Sequence, residues 1–316
     1  MSFARACAKL ILMGEHAVVY QQPALALPLP QLEAQVRIEA SESAGILLEA
    51  PDLPALWDLP EPPQSSPEPL IETLVRALDA LQAPWPACTV RIESKIPVAR
   101  GLGSGTAVTT ALWRAMANYC NVYPGLEQSL DFVQGMDQLY HGRPSGIDAQ
   151  VIVREMPLRF MRPDHYSSLD LAQPLSLLVA DSGQQAATRT QVEKVAEWRL
   201  AQPERSEWVF QEIGALVARA ESCLAKAEME SLGILMNRNQ ELLIEMGVST
   251  DGLNQLCSVA RQAGALGAKL SGAGGGGVVV CLVSPESQHS VSEALNAAGA
   301  VAVYQVRVPA REEING

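Results

Sequence analysis

Apolar and polar positions alternate with a period of two at Gln35–Glu39 and again at Thr89–Glu93, which predicts strands with one buried face. The apolar run Leu10–Met13 reads as a strand with Lys9 at its front, and Ile147–Val153 as an apolar-rich strand candidate. From Thr106 to Tyr119 the period changes: Ala107, Val108, Ala111, Leu112, Ala115, Met116 and Tyr119 recur at helical spacing. A second helical pattern covers Glu127–Tyr140. Residues 50–69 hold seven prolines, with Ser65 and Ser66, and read as a loop or flap inside a domain.

After Pro174 a new set begins. Leu175–Ala180 reads as a buried strand, followed by helical patterns at Glu207–Ala227 and Leu232–Met246. Asp251 is a candidate cap for a helix carrying Leu253, Leu256, Val259, Ala260 and Ala263, stopped by Gly264 or Gly267. Val278–Val283, a helix through Glu293–Ala298 and a strand at Val301–Val308 complete the chain. No internal repeat interrupts this order. The pattern predicts a mixed α+β protein with domains at 1–174 and 175–316.

Composition narrows the class. A chain of 316 residues is long enough for two domains with their own cores. Hydrophobic content of 48% with 18% charged residues is that of an ordinary soluble globular protein. A formal net charge of −12 argues against nucleic-acid partners and against an anionic membrane surface. An anionic substrate must then be held by a local positive site. The six cysteines are widely spread with no CxxC pair, as expected of free thiols in a reducing cytosol. The N-terminal apolar run stops at Glu15 and His16, too short for a signal peptide, and no stretch approaches membrane-spanning length. A cytoplasmic protein is expected.

The candidate chemistry centres on Pro97–Ala107, PVARGLGSGTA, which places Gly101, Gly103 and Gly105 beside Ser104 and Thr106 just ahead of a helix. A glycine loop feeding a helix N-terminus gathers unpaired N–H donors and the positive end of a macrodipole, which suits phosphate. Such turns also join strands to helices for steric reasons alone. No Lys-Ser or Lys-Thr follows the glycines, so this is not a Walker loop, and GLGSGT lacks the last glycine of the dinucleotide fingerprint. Lys9 stands before an apolar run that ends in a turn at Gly14, Glu15 and His16. A charge there invites a partner, although a snorkelling lysine and a solvated Glu-His turn fit the same pattern. In His141-Gly-Arg-Pro-Ser-Gly-Ile-Asp148, Asp148 falls at a turn-to-strand junction, and Asp137 lies one helical turn before His141. A second glycine cluster, Lys269-Leu-Ser-Gly-Ala-Gly-Gly-Gly-Gly277, is read either as a loop close to the first one or to a nucleotide, or as a close-packed hairpin.

These strings, in this order, resemble the galactokinase–homoserine kinase–mevalonate kinase–phosphomevalonate kinase superfamily, and within it the mevalonate kinases. The likeness covers Ala6–Tyr20, Pro97–Ala107, His141–Asp148 and Lys269–Gly277, and GEHAVVY followed by Pro23-Ala-Leu-Ala26 is the discriminating piece. The resemblance implies a two-domain kinase fold, with a ribosomal-protein-like N-terminal domain and a ferredoxin-like C-terminal domain. It further implies transfer of the ATP γ-phosphoryl group to the C5 hydroxyl of mevalonate by a monomer or homodimer using magnesium. On it, Pro97, Arg100, Gly101, Leu102, Gly103, Ser104, Gly105, Thr106 and Ala107 would wrap ATP, and Ser271, Gly272, Ala273 and Gly274 form a further glycine loop. Asp148 would act on the hydroxyl, with Lys9 beside it and beside the moving phosphoryl group. Glu15, His16 and Thr188, with Thr190 as the neighbouring alternative, match positions near mevalonate, while Asp137 and Ser104 match the magnesium side.

The chain departs from the family pattern in four places. Cys7-Ala8 replaces Pro-Gly, Gly105 replaces a magnesium-binding serine, Asp137 replaces glutamate, and Ala149 replaces asparagine. Ser104, Thr106 or a water is then needed to complete the magnesium shell. Another kinase of the superfamily is the first alternative, and a catalytically silent nucleotide sensor the second.

Overall fold

The computed structural model describes residues 1–52, 55–141, 145–162, 165–185, 188–310 and 313. The chain forms two compact units. The first comprises Met1–Ala8, Leu32–Val98 and Gly103–Glu155, the second Lys9–Gln31, Ala99–Leu102 and Met156–Gly316. β1 (Ser2–Met13) and β2 (Ala24–Ala40) pass from one unit into the other, and the two strands pair.

In the first unit, β3 (Ile46–Ala50) pairs antiparallel with β4 (Ala55–Leu59). After α1 (Pro69–Ala80), β5 (Cys88–Ser94) lies parallel to β3 and antiparallel to the second half of β2, with Val36 opposite Ile92. The period of two decides which face is buried: Ala34, Val36 and Ile38 share the interior with Cys88, Val90 and Ile92. α2 (Ser104–Tyr119) packs on β5 and on α1, then α3 (Leu126–His141) and α4 (Ile147–Arg154) join it. Leu130 and Val133 of α3 and Ala149 and Val153 of α4 form one apolar cluster. That cluster fixes the helices that carry Asp137 and Asp148.

In the second unit, β6 (Leu158–Met161) pairs with the first part of β2 and with β7 (His165–Ser168). The rest of the unit runs β8 (Leu175–Asp181), α5 (Thr188–Ala201), α6 (Pro203–Ala225), α7 (Met229–Glu245) and α8 (Asp251–Gln262). β9 (Gly267–Ser271), β10 (Val278–Leu282), α9 (Gln288–Ala297) and β11 (Ala302–Val308) follow. Its antiparallel sheet has the order β11-β8-β10-β9. Every residue of β9 and β10 is buried; β10 is a central strand, and β9, at the sheet edge, is covered by α7 and α8. Among the described residues no helix is long and apolar enough to cross a membrane, and the six cysteines are free.

Several sequence expectations are corrected. Ile147–Val153 is not a strand but most of α4, entered through Gly146 in the left-handed region (φ 84°). Asp148 and Gln150 alternate there with Ile147, Ala149 and Val151, so the first residues imitate a strand's period of two. The segment 50–69 is not all loop, since β4 lies within it and Pro69 opens α1. Proline at the first turn of a helix starts it, because that N–H has no intrahelical partner. Lys9 is not at the front of its strand, which begins at Ser2. The cap of α8 is Thr250, whose hydroxyl accepts from Leu253 N at 3.3 Å, and Asp251 is the first helical residue.

Candidate active site

The first glycine loop reaches α2 through backbone of alternating sign: φ is positive at Ala99, Gly101 and Gly103, and at neither residue between them. Alternation of this kind turns successive N–H groups toward one side and favours an anion. No side chain caps α2, so the N–H groups of its first turn are left to solvent or ligand. Leu102, Thr106 and Ala107 are buried, Ser104 is half-buried and Gly105 is exposed. A Cβ added to Gly105 meets nothing within 4 Å, so packing does not require glycine where the family pattern has serine. Arg100 is held by Asp181, its Nε donating to Oδ1 at 2.6 Å, and by the carbonyl of Gly183 at 3.2 Å.

In the second unit the loop is tied to Lys9. This residue is only 4% exposed, which removes the snorkelling alternative. Its backbone N donates to Leu102 O and its Nζ to Gly101 O, both at 3.0 Å. Gly101 and Gly272 bring the two glycine loops together: a Cβ on Gly101 would stand 3.8 Å from Gly272 Cα and from Ser271 O. The segment 269–277 therefore satisfies both readings of it, being the turn of the β9–β10 hairpin and a loop pressed against the first.

Glu15 and His16 follow β1 into the same region. Glu15 forms an ion pair with Lys269, and both side chains are buried. Lys269 Nζ also donates to Leu270 O at 2.6 Å. Burial raises the Glu15 carboxyl and lowers the Lys269 ammonium, and each charge opposes the shift of the other. His16 holds a positive φ of 59°, and its Nε2 donates to Ala273 O at 2.8 Å. Burial lowers its imidazole below 6.5, so the ring stays neutral near pH 7. Ser271 clamps β1, its Oγ donating to Ile11 O at 2.8 Å and accepting from Ile11 N at 3.2 Å. Thr188 opens α5 and is exposed, as is Thr190, whereas Gln191 is buried. Lys269 as the partner of Glu15 was not read from sequence, because 254 residues separate the two charges.

In the first unit, Thr106 Oγ1 donates to Asp137 Oδ1 at 2.8 Å, with both residues buried. Asp148 is half-buried in the first turn of α4, where the helix dipole favours a carboxylate. Of the segment before it, residues 142–144 and the His141 side chain lie outside the described residues. Among the described residues, no three His, Cys, Asp or Glu side chains gather as a metal cage. Thr106 and Asp137 offer hard oxygen donors instead, which suit magnesium bound through one or two protein oxygens, phosphates and waters.

Residues 70–154 match the GHMP kinases N terminal domain, and residues 220–301 match GHMP kinases C terminal. The mevalonate kinase of Thermococcus sibiricus is 34% identical over 317 residues, covering 95% of this chain and 94% of its own. That of Pyrococcus abyssi is 33% identical over 317 residues, covering 94% and 92%. A crystal structure of L. major mevalonate kinase in complex with R-mevalonate shares the fold, with a TM-score of 0.85 at 24% identity over 98% of this chain and 97% of that one. With both domains matched and close likeness along nearly its whole length, the chain belongs to the mevalonate kinase family of the GHMP kinases.

Proposed function

We propose that the chain transfers the γ-phosphoryl group of ATP to the C5 hydroxyl of mevalonate. The observation that carries this reading is the 34% identity to a mevalonate kinase over 95% of the chain. The burial of Lys9 against the first glycine loop supports it.

Phosphoryl transfer through a loose transition state needs positioning and neutralisation of charge more than covalent help. Residues 97 and 100–107 are assigned to ATP, with the backbone N–H groups of residues 101–106 as phosphate donors, and 271–274 form the further glycine loop beside them. Lys9 brings a fixed positive charge to the transferring group. Magnesium, held by Asp137 with Thr106 or Ser104, supplies neutralisation of phosphate oxygens when bound. Glu15, His16 and Thr188 are assigned to mevalonate. Asp148 orients the C5 hydroxyl and accepts its proton late, since a carboxylate is far too weak a base to deprotonate an alcohol before attack. A domain boundary near residue 174 accompanies this reading, with the two matched segments, 70–154 and 220–301, on either side of it.

The test is ADP release with ATP, magnesium and, in turn, mevalonate, phosphomevalonate, galactose and homoserine. Mevalonate alone should drive turnover, and Asp148→Asn should abolish it while ATP affinity stays near wild type. Turnover on another member of the panel, or none at all, would reject the assignment. Near-normal turnover by Asp148→Asn would remove the proton acceptor from the scheme.

A further inference from the structure

Among the described residues, the fully buried side-chain polar atoms without a hydrogen-bond partner are Glu15 Oε2, Gln191 Oε1, and Asn239 Oδ1 and Nδ2, all in the second unit. The first two belong to residues that meet one element, the second glycine loop and the strand leading into it. Glu15 is tied to Lys269 on β9, and its neighbour His16 donates to Ala273. Gln191, 7% exposed, lays its amide on Gly275: a Cβ placed there would stand 2.3 Å from Nε2 and 2.7 Å from Cδ. Gly275 has a φ of +71°, a backbone conformation that favours glycine.

Packing alone does not explain the polarity of Gln191. It shares the buried stripe of α5 with Val195, one turn later, where an apolar side chain serves. An amide oxygen shut away from water without a donor is unfavourable, and native structures keep such atoms chiefly where something else completes them. The Gln191 oxygen is an acceptor, as is an ionised Glu15 oxygen, so the missing group is a donor. A carboxylate or phosphate would add only further acceptors. A hydroxyl supplies what is missing.

We propose that Gln191 is a specificity residue that contacts substrate, its Oε1 accepting a hydrogen bond from the hydroxyl of mevalonate that is not phosphorylated, the one on C3. This rests on the reaction proposed above and deepens it. Ribose hydroxyls of the nucleotide offer the same chemistry, and the experiment separates the two sources.

Steady-state kinetics of Gln191→Leu and Gln191→Glu are compared with wild type, using mevalonate and its C3-deoxy analogue, 5-hydroxy-3-methylpentanoate. Gln191→Leu should raise KM for mevalonate about 10-fold, with kcat and KM for ATP within about 2-fold, and Gln191→Glu should restore KM. Wild type should disfavour the deoxy analogue by about 10-fold, and Gln191→Leu should treat the two acids alike. An unchanged mevalonate KM in Gln191→Leu overturns the proposal, and so does a rise confined to ATP, which would assign the oxygen to ribose. If Gln191→Leu fails to fold by circular dichroism, Gln191→Glu decides: retained preference for mevalonate over the analogue supports the role, and its loss overturns it. A wild-type chain inactive on mevalonate rejects the reaction itself, whereas one active but indifferent to the C3 hydroxyl rejects only the role of Gln191.

Discussion

Lys269 illustrates what a single buried charge does. Its ammonium group is fully shielded from solvent and faces Glu15, which is 1% exposed. Desolvation of two ions in a low-dielectric interior is offset only while both are present. Lys269→Met leaves Glu15 buried and unpaired, and the unfolding free energy measured by urea titration should fall by about 3–5 kcal/mol. Glu15→Gln combined with Lys269→Met should recover most of that loss, and a double variant no more stable than Lys269→Met would deny the coupling. Residues of this scale were legible in sequence where a charge interrupts an apolar run, as Lys9 and Glu15 do. Lys269 and Gln191 were not, because the first is defined by a distant partner and the second lies in a helix of mostly exposed, polar residues.

The N-terminus of α2 and the face of α3 form the next level. Thr106 donates to Asp137 across these two helices, so a hydroxyl and a carboxylate are held together without the serine that the family pattern places at 105. Asp137→Ala should raise the magnesium concentration for half-maximal activity at least several-fold, measured by titration at saturating ATP and mevalonate. Gly105→Ser, which the open space at that position permits, should lower the same midpoint, and an unchanged titration in both variants would remove this element from the metal shell. Helices with a clear 3.6 period, α2 and α3, were placed from the pattern to within two residues. β2 was read only in its second half because Pro28 and Pro30 interrupt the first, and proline ordinarily argues against a strand. α4 was misread because Asp148 and Gln150 alternate with Ile147, Ala149 and Val151 and imitate a strand's period of two.

The course of the whole chain was the least legible. The new set of elements after Pro174 suggested one cut near residue 174, whereas the compact units exchange chain at five points, including either side of Ala99–Leu102. Local pattern carries no information about such exchange, which is decided by contacts far apart in sequence. The second unit includes Lys9–Gln31, so a fragment of residues 175–316 lacks part of its own core. That fragment should show no cooperative thermal unfolding by calorimetry, and a sharp transition with near-native helix content would contradict the interleaving.

The clamp between Ser271 and Ile11 also bears on synthesis. The two residues are separated by 260 positions, so on a ribosome the strand holding Ile11 is finished long before its partner exists. At about 5–20 residues per second, that interval is roughly 13–52 s. Throughout it the peptide groups of Ile11 lack their native partner, and the nascent chain presents an unfinished, apolar strand to its surroundings. Newly made protein therefore becomes competent only near the end of translation, and truncated products that stop before β9 should be targets for chaperones and proteases.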